Sequence, residues 1–258
     1  MEKKIVRIRD TKIGAGRPKI CVPLVAADET ELEEALGRLE GTPFDLVEWR
    51  ADFYREAKQA AAMEDALERI RERLQDKPLL FTFRTQEEGG AQSIEPAAYF
   101  VLNERAAKSG MVDIVDVELN RGEELAERLV QAIHRENCCV LGSFHDFSQT
   151  PSAERMTRVL QRMQQLDMDI TKLAVMPRTR RDVLELLAAA VRMEEELADR
   201  PCVTMSMGSL GVISRVAGSF SGSAITFGTA GSSSAPGQIP AGKLEQILRI
   251  LSESIEEK

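Results

Sequence analysis

Two side chains in this sequence are of types and spacing suited to carbonyl chemistry: Lys172 and His145. Lys172 lies near the start of Asp169-Ile170-Thr171-Lys172-Leu173-Ala174-Val175-Met176, a mostly apolar run with turn-like sequence on both sides. The run is too short for a typical helix and reads as a buried strand. Burial disfavours an ammonium and lowers its pKa, which leaves an amine nucleophilic near neutral pH. Such an amine forms Schiff bases with ketones. Taken alone, a strand lysine is more simply an edge residue or a buried salt-bridge partner. His145 changes that balance. It ends Gly142-Ser143-Phe144-His145-Asp146, on the strand adjacent to that of Lys172, and neutral imidazole is the natural acid–base group near pH 7. The other histidine, His134, falls in the last turn of a polar helix, where it is expected only to favour the C-terminal dipole.

More polar residues gather at strand ends. In Glu48-Trp49-Arg50-Ala51-Asp52, alternation puts Glu48, Arg50 and Asp52 on one face and Trp49 on the other. Glu48 and Asp52 read equally well as parts of a structural ion-pair ladder, and Arg50 is the better ligand candidate. Arg84 shares a face with Thr82. After it, Gly89-Gly90 lets the loop turn back over the strand ends, so that Glu88 can orient a base. Asp116 and Glu118 share a face and read as an internal structural network. Arg215 lies in the loop after a further strand. The Gly/Ser-rich stretch 229–238 reads as a lid over a substrate.

The elements needed to position these groups repeat from Lys19 onward. Strands are expected at Ile20–Val25, Phe44–Arg50, Leu79–Arg84, Val112–Leu119, Cys138–Phe144, Ile170–Met176, Cys202–Ser206 and Ala224–Phe227. Helices are expected at Asp28–Leu39 with Asp28 as N-cap, Ala57–Leu74, Glu95–Lys108, Glu123–Arg135, Ser152–Leu166 capped by Ser152, Thr179–Leu197, Leu210–Val216 and Lys243–Glu256. Residues 1–18 form an N-terminal arm or short hairpin, and 19–258 the catalytic domain. Strict βα alternation over 258 residues points to a single (β/α)8 TIM barrel, an α/β fold, with an open doubly wound sheet as the alternative. No G-x-G-x-x-G follows the first strand, so a dinucleotide site is not expected.

The net charge of −8 argues against a general nucleic-acid or anionic-membrane binder. No apolar run is long enough to span a bilayer, and the N-terminus lacks a signal-peptide core, so a cytoplasmic location is expected. Cys21, Cys138, Cys139 and Cys202 fall in apolar strand-like runs without a C-x-x-C pair and read as buried reduced thiols. Two histidines do not make a His-rich metal site, and no metal is expected.

A Schiff-base lysine, an adjacent histidine and three arginines at one barrel mouth suggest chemistry next to a ketone on a small carboxylate-bearing molecule. An imine acidifies the neighbouring C–H, His145 removes that proton, and loss of a β-hydroxyl completes a dehydration. Spacing alone leaves retro-aldol cleavage equally open. A class I aldolase acting on a sugar phosphate and a non-catalytic acid-binding barrel are the competing readings.

The motifs resemble those of the type I 3-dehydroquinate dehydratases over residues 17–256. The residues that carry the resemblance are Glu48-Trp49-Arg50-Ala51-Asp52, Phe81-Thr82-Phe83-Arg84-Thr85 with Glu88-Gly89-Gly90, Ser143-Phe144-His145-Asp146-Phe147, Asp169-Ile170-Thr171-Lys172, Met207-Gly208, Ser214-Arg215 and Ser234-Ala235-Pro236-Gly237-Gln238. The resemblance implies an imine between Lys172 and the C3 ketone of 3-dehydroquinate. It implies that His145 takes the C2 proton and assists loss of the C1 hydroxyl, with Glu88 aligning it. Arg215 is implied to grip the substrate carboxylate, while Glu48, Arg50, Arg84, Ser234 and Gln238 hold the hydroxyls and close the lid. It also implies no metal or organic cofactor, and a homodimer. Pro23 departs from the small polar residue of some members.

Overall fold

The computed structural model describes residues 4–231 and 237–256, with side chains described to residue 254. A hairpin of β1 (Val6–Ile8) and β2 (Thr11–Ile13) comes first. The chain then alternates between strand and helix. The strands are β3 (Lys19–Leu24), β4 (Leu46–Arg50), β5 (Leu79–Thr82), β6 (Ile114–Glu118), β7 (Cys139–Asp146), β8 (Ile170–Val175), β9 (Cys202–Ser206) and β10 (Ile225–Thr229). The helices between and after them are α1 (Glu29–Gly37), α2 (Ala60–Leu74), α3 (Pro96–Lys108), α4 (Glu123–Arg135), α5 (Ala153–Gln165), α6 (Arg180–Arg192), α7 (Val212–Val216), α8 (Gly218–Ser221) and α9 (Ala241–Glu256). A two-residue strand, β11 (Ile239–Pro240), pairs with the end of β10.

The strands β3 to β9 pair in sequence order, all parallel, and β10 pairs with β3. The seam between β9 and β10 is thin. Ala224 N–H donates to the Cys202 carbonyl at 2.8 Å, and Thr204 N–H donates to Ser223 Oγ at 3.0 Å. The sheet therefore curls round into a (β/α)8 barrel. Strand order never reverses, so the switch-point crevice of a doubly wound sheet is absent among the described strands.

Period-two alternation divides every strand between two cores. Outward residues such as Val47, Trp49, Phe81, Val115 and Leu173 pack under the helices. Trp49 meets Tyr54 and Phe81 edge-on, at 5.9 and 5.6 Å between ring centroids. Inward residues fill the lumen in a graded way. Leu46, Leu80, Ile114, Leu141, Ile170, Val203 and Ile225 form its lower part together with Ile8 and Ile13 of the hairpin. Two residues further along the same inward faces stand Glu48, Thr82, Asp116, Ser143 and Lys172, all buried. The hairpin thus closes the amino ends of the strands, and the charged groups lie toward their carboxyl ends.

Local chemistry explains the element boundaries. Asp28 caps α1, its carboxylate accepting from Glu31 N–H at 3.1 Å. Thr179 and Asp182 form a reciprocal capping box on α6. Ser152 holds the N-cap position of α5, but its hydroxyl makes no cap bond. Instead the Glu185 carboxylate, from α6, accepts Ala153 N–H at 2.8 Å. The expected helix to Leu197 ends as α-helix at Arg192 and continues as a π-helical turn over Met193–Leu197. The helix expected at Leu210–Val216 is joined by a second turn, α8.

Candidate active site

Lys172 sits two residues above the apolar floor, where β8 pairs with β7 on one side and β9 on the other, opposite Ser143 and Val203. Its side chain is 5% exposed. Nζ lies 4.4 Å from the centre of the Phe227 ring and 3.8 Å from Glu48 Oε1. Burial pushes the amine below its ordinary range, and the Glu48 and Asp116 charges oppose that shift in part. Glu48 is held in place by Thr82 Oγ1, which donates to the same Oε1 at 2.9 Å.

His145 lies on the next strand, two residues beyond Ser143 on the same face. Nδ1 is 2.8 Å from Glu88 Oε2, so Nε2 is the nitrogen left for the cavity. Burial, followed by the Arg84, Lys172 and Arg50 charges, holds the imidazole well below its usual pKa. Glu88 is pulled up to about 8, chiefly by burial, with Glu118 and Asp116 adding to the rise and Arg84 opposing it. The 2.8 Å contact makes the protonation of one group depend on that of the other. In the more protonated form they share two protons. In the less protonated form the carboxylate accepts Nδ1–H, and Nε2 is an open base.

The turn carrying Glu88 depends on two glycines. Gly89 has φ +81°, and a Cβ there would land on the Phe147 ring. At Gly90 a Cβ would collide with the Arg84 carbonyl oxygen. Phe147 in turn stacks near His145, with centroids 6.4 Å apart and ring planes 21° from parallel.

The arginines differ in how they are held. The Arg50 guanidinium is clamped by Asp52 through Nε and Nη2 at 2.8 and 2.9 Å. Asp52 does not share the inward face as expected. The strand ends at Arg50, and a 3₁₀ turn over Ala51–Phe53 swings Asp52 into the wall, where it also accepts Ala91 N–H at 3.0 Å. Arg84 reaches Asp116 at 2.7 Å and Glu118 at 2.8 Å. Arg215 stands on α7, which is pinned to β9 by Ser214 Oγ accepting Ser206 N–H at 2.9 Å. The Thr226 hydroxyl donates to the Arg215 carbonyl at 2.7 Å, and burial pushes the guanidinium down to about 10.

One cavity of about 160 Å³ collects Glu48, Arg50, Arg84, Glu88, His145, Lys172, Arg215 and Gln238. These are all the residues singled out from the sequence for the site except Ser234, which lies outside the described residues. Residues 232–236 of the expected lid lie outside them too. Phe147, Met205, Met207 and Phe227 line the cavity as well. Sequence reasoning gave none of them a role, although inward alternation on β9 and β10 points to Met205 and Phe227. A second cavity of about 160 Å³ lies beneath the hairpin. Its Arg17 is paired with Asp45 and its Arg200 with Asp199, and no histidine is among its described lining residues.

His134 does more than favour a helix dipole. Its Nε2 is 2.9 Å from Asp169 Oδ2, which also accepts Val140 N–H at 2.8 Å. It thereby ties the end of α4 to the starts of β7 and β8, and the Asp169 hydrogen bond raises its pKa. Among the described residues no group of three His, Cys, Asp or Glu is placed to hold a metal ion. No described helix is long and apolar enough to cross a membrane.

Residues 20–255 match the sequence model of the type I 3-dehydroquinase family. A 3-dehydroquinate dehydratase of Bacillus licheniformis is 47% identical over 253 residues, spanning 98% of this chain and all of the relative. One from Salmonella paratyphi B is 46% identical over 252 residues, spanning 97% of this chain and all of the relative. The solved type I 3-dehydroquinate dehydratase of Clostridium difficile, with covalently modified comenic acid, superposes with a TM-score of 0.94 at 41% identity. That match covers 98% of this chain and 99% of the relative.

Proposed function

This chain belongs to the type I 3-dehydroquinase family, a 3-dehydroquinate dehydratase of the shikimate pathway, and we propose that it works through an imine on Lys172. The observation that carries the proposal is a buried amine with a lowered pKa in one cavity with a buried imidazole.

The neutral Lys172 amine adds to the C3 ketone, and the carbinolamine loses water to give the imine. The imine draws electrons from C2, and His145 Nε2 takes the C2 proton, leaving an enamine. The enamine expels the C1 hydroxyl, and the proton held by His145 leaves with it as water. Hydrolysis of the product imine returns Lys172 and releases 3-dehydroshikimate. The balance is one 3-dehydroquinate in, one 3-dehydroshikimate and one water out.

Glu88 aligns His145 through Nδ1. Arg215 takes the substrate carboxylate in a paired hydrogen bond that suits a guanidinium. Glu48, Arg50, Arg84, Gln238 and Ser234 hold the hydroxyls and close the 229–238 loop. Residues 1–18 serve as an arm, and residues 19–258 as the catalytic barrel. A homodimer in the cytoplasm completes the reading. Ile213, Phe220 and Ile250, exposed on mutually packed helices, support the dimer, and the buried, unbridged thiols of Cys21 and Cys138 support a reducing compartment.

The test is reduction by borohydride in the presence of 3-dehydroquinate, with mass mapping of the product. A covalent adduct on the peptide containing Lys172 is expected in the wild type and in His145→Ala, and the latter should turn over at least about 100-fold more slowly. An unmodified Lys172 in the wild type would exclude the imine.

A further inference from the structure

Asp116 and Glu118 have no part in the steps above, yet both are fully buried level with the reacting groups. Every described oxygen of the two carboxylates is engaged. Asp116 Oδ2 accepts from Arg84 at 2.7 Å, and Oδ1 accepts the Ser143 hydroxyl at 2.7 Å. Glu118 Oε1 accepts from Arg84 at 2.8 Å and from Thr85 N–H at 2.9 Å, while Oε2 accepts the Thr85 hydroxyl at 2.7 Å. Arg84 also donates to Ser143 Oγ at 2.9 Å. Against these short contacts, Glu88 Oε2 stands 3.5 Å from the same guanidinium.

We propose that Asp116 and Glu118 are positioning residues for the dehydration: by holding Arg84 in shorter bonds they leave Glu88 only a long contact with it, and so set how many protons the Glu88–His145 pair carries. The proposal rests on His145 being the base of the imine route.

The charges around the pair support this. Lys172 on β8 is offset by Glu48 on β4, and Arg50 at the end of β4 by Asp52 in the turn after it. Arg215 faces the same cavity from α7. Arg84, at the end of β5, faces two carboxylates from β6, so that cluster holds one negative charge in excess before Glu88 ionises. A third carboxylate beside it is disfavoured, in line with the raised pKa of Glu88. Removing one β6 charge makes the ionised pair easier to form and opens Nε2 at lower pH. A unit charge acting over roughly 7 Å at an effective dielectric near 20 corresponds to a shift of about 1–2 pH units.

Asp116→Asn and Glu118→Gln are near-isosteric tests. Two readouts are taken on each: the pH profile of kcat/KM, and a ¹⁵N NMR titration of the imidazoles in the resting enzyme. The chain has only two histidines, so His134 serves as an internal reference. The expected result is a wild-type inflection near 8 that moves down by about 1–2 units in both readouts. The His134 curve should stay in place, and borohydride trapping on Lys172 should persist. Inflections that stay within about 0.3 units of wild type in both readouts would overturn the proposal. If the imidazole inflection moves while the kcat/KM profile does not, the charge arrangement stands and His145 is not the base. Should one variant fail to fold by circular dichroism, the other has the same expected sign and decides.

Discussion

Replacing Glu48 by Gln tests what opposes the fall that burial imposes on the Lys172 pKa. Burial lowers its pKa, and the Glu48 carboxylate 3.8 Å away is the largest influence in the other direction. Both side chains are about one-twentieth exposed, so solvent screens the pair weakly. Two unit charges at that distance and an effective dielectric near 20 interact by about 4 kcal/mol. Relaxation of the emptied site takes up part of this, leaving about 1.4–2.7 kcal/mol, or a fall of about 1–2 units in the Lys172 pKa. Glutamine keeps an oxygen for the Thr82 hydroxyl, so the wall itself is little disturbed. Competitive acetylation with trace acetic anhydride, mapped by mass spectrometry across pH, reads the amine without needing substrate. The exposed Lys12 provides the reference. The Lys172 midpoint should fall by about 1–2 units while that of Lys12 stays put. A Lys172 midpoint that holds steady or climbs would refute the reasoning, because the carboxylate would then not be what sustains the ammonium.

Two further changes probe the cavity wall. Arg215→Lys replaces a buried two-pronged donor with a point charge, and is expected to raise KM about 10- to 100-fold with a smaller change in kcat by steady-state assay. Gly90→Ala drives a methyl group into the Arg84 carbonyl and so displaces the turn that carries Glu88. It should lower the thermal midpoint by an amount corresponding to about 2–3 kcal/mol and cut kcat at least about tenfold. Gly37→Ala, whose methyl meets nothing within 4 Å, should change neither.

The barrel was legible because its strands carry their period in plain sight. Leu46-Val47-Glu48-Trp49-Arg50 and Ile170-Thr171-Lys172 each show an inward face turning from apolar to charged, and the order of βα units supplies the topology. Lys172 and His145 could be read for the same reason, since each interrupts such a face with a titratable group above the apolar layer. The partnerships were not legible. That Arg84 meets Asp116 and Glu118 rather than standing open follows from how far β5 and β6 are staggered, which local sequence does not encode. Strand alternation misplaces Asp52 because the strand ends at Arg50 and a 3₁₀ turn follows. Residue type points to a Ser152 cap, but a glutamate from the neighbouring helix satisfies Ala153 instead. The helix around His134 carries no sign of its partner Asp169, which is distant in sequence.

The packed lower lumen makes the reaction chamber a blind alley. Among the described residues, Ile8 and Ile13 of the hairpin and the apolar layer above them fill the floor. The cavity that collects the polar residues lies above that layer, toward the carboxyl ends of the strands, so substrate and product reach it from that side. On the proposed imine route, the water that hydrolyses the last imine arrives from the side by which the product leaves.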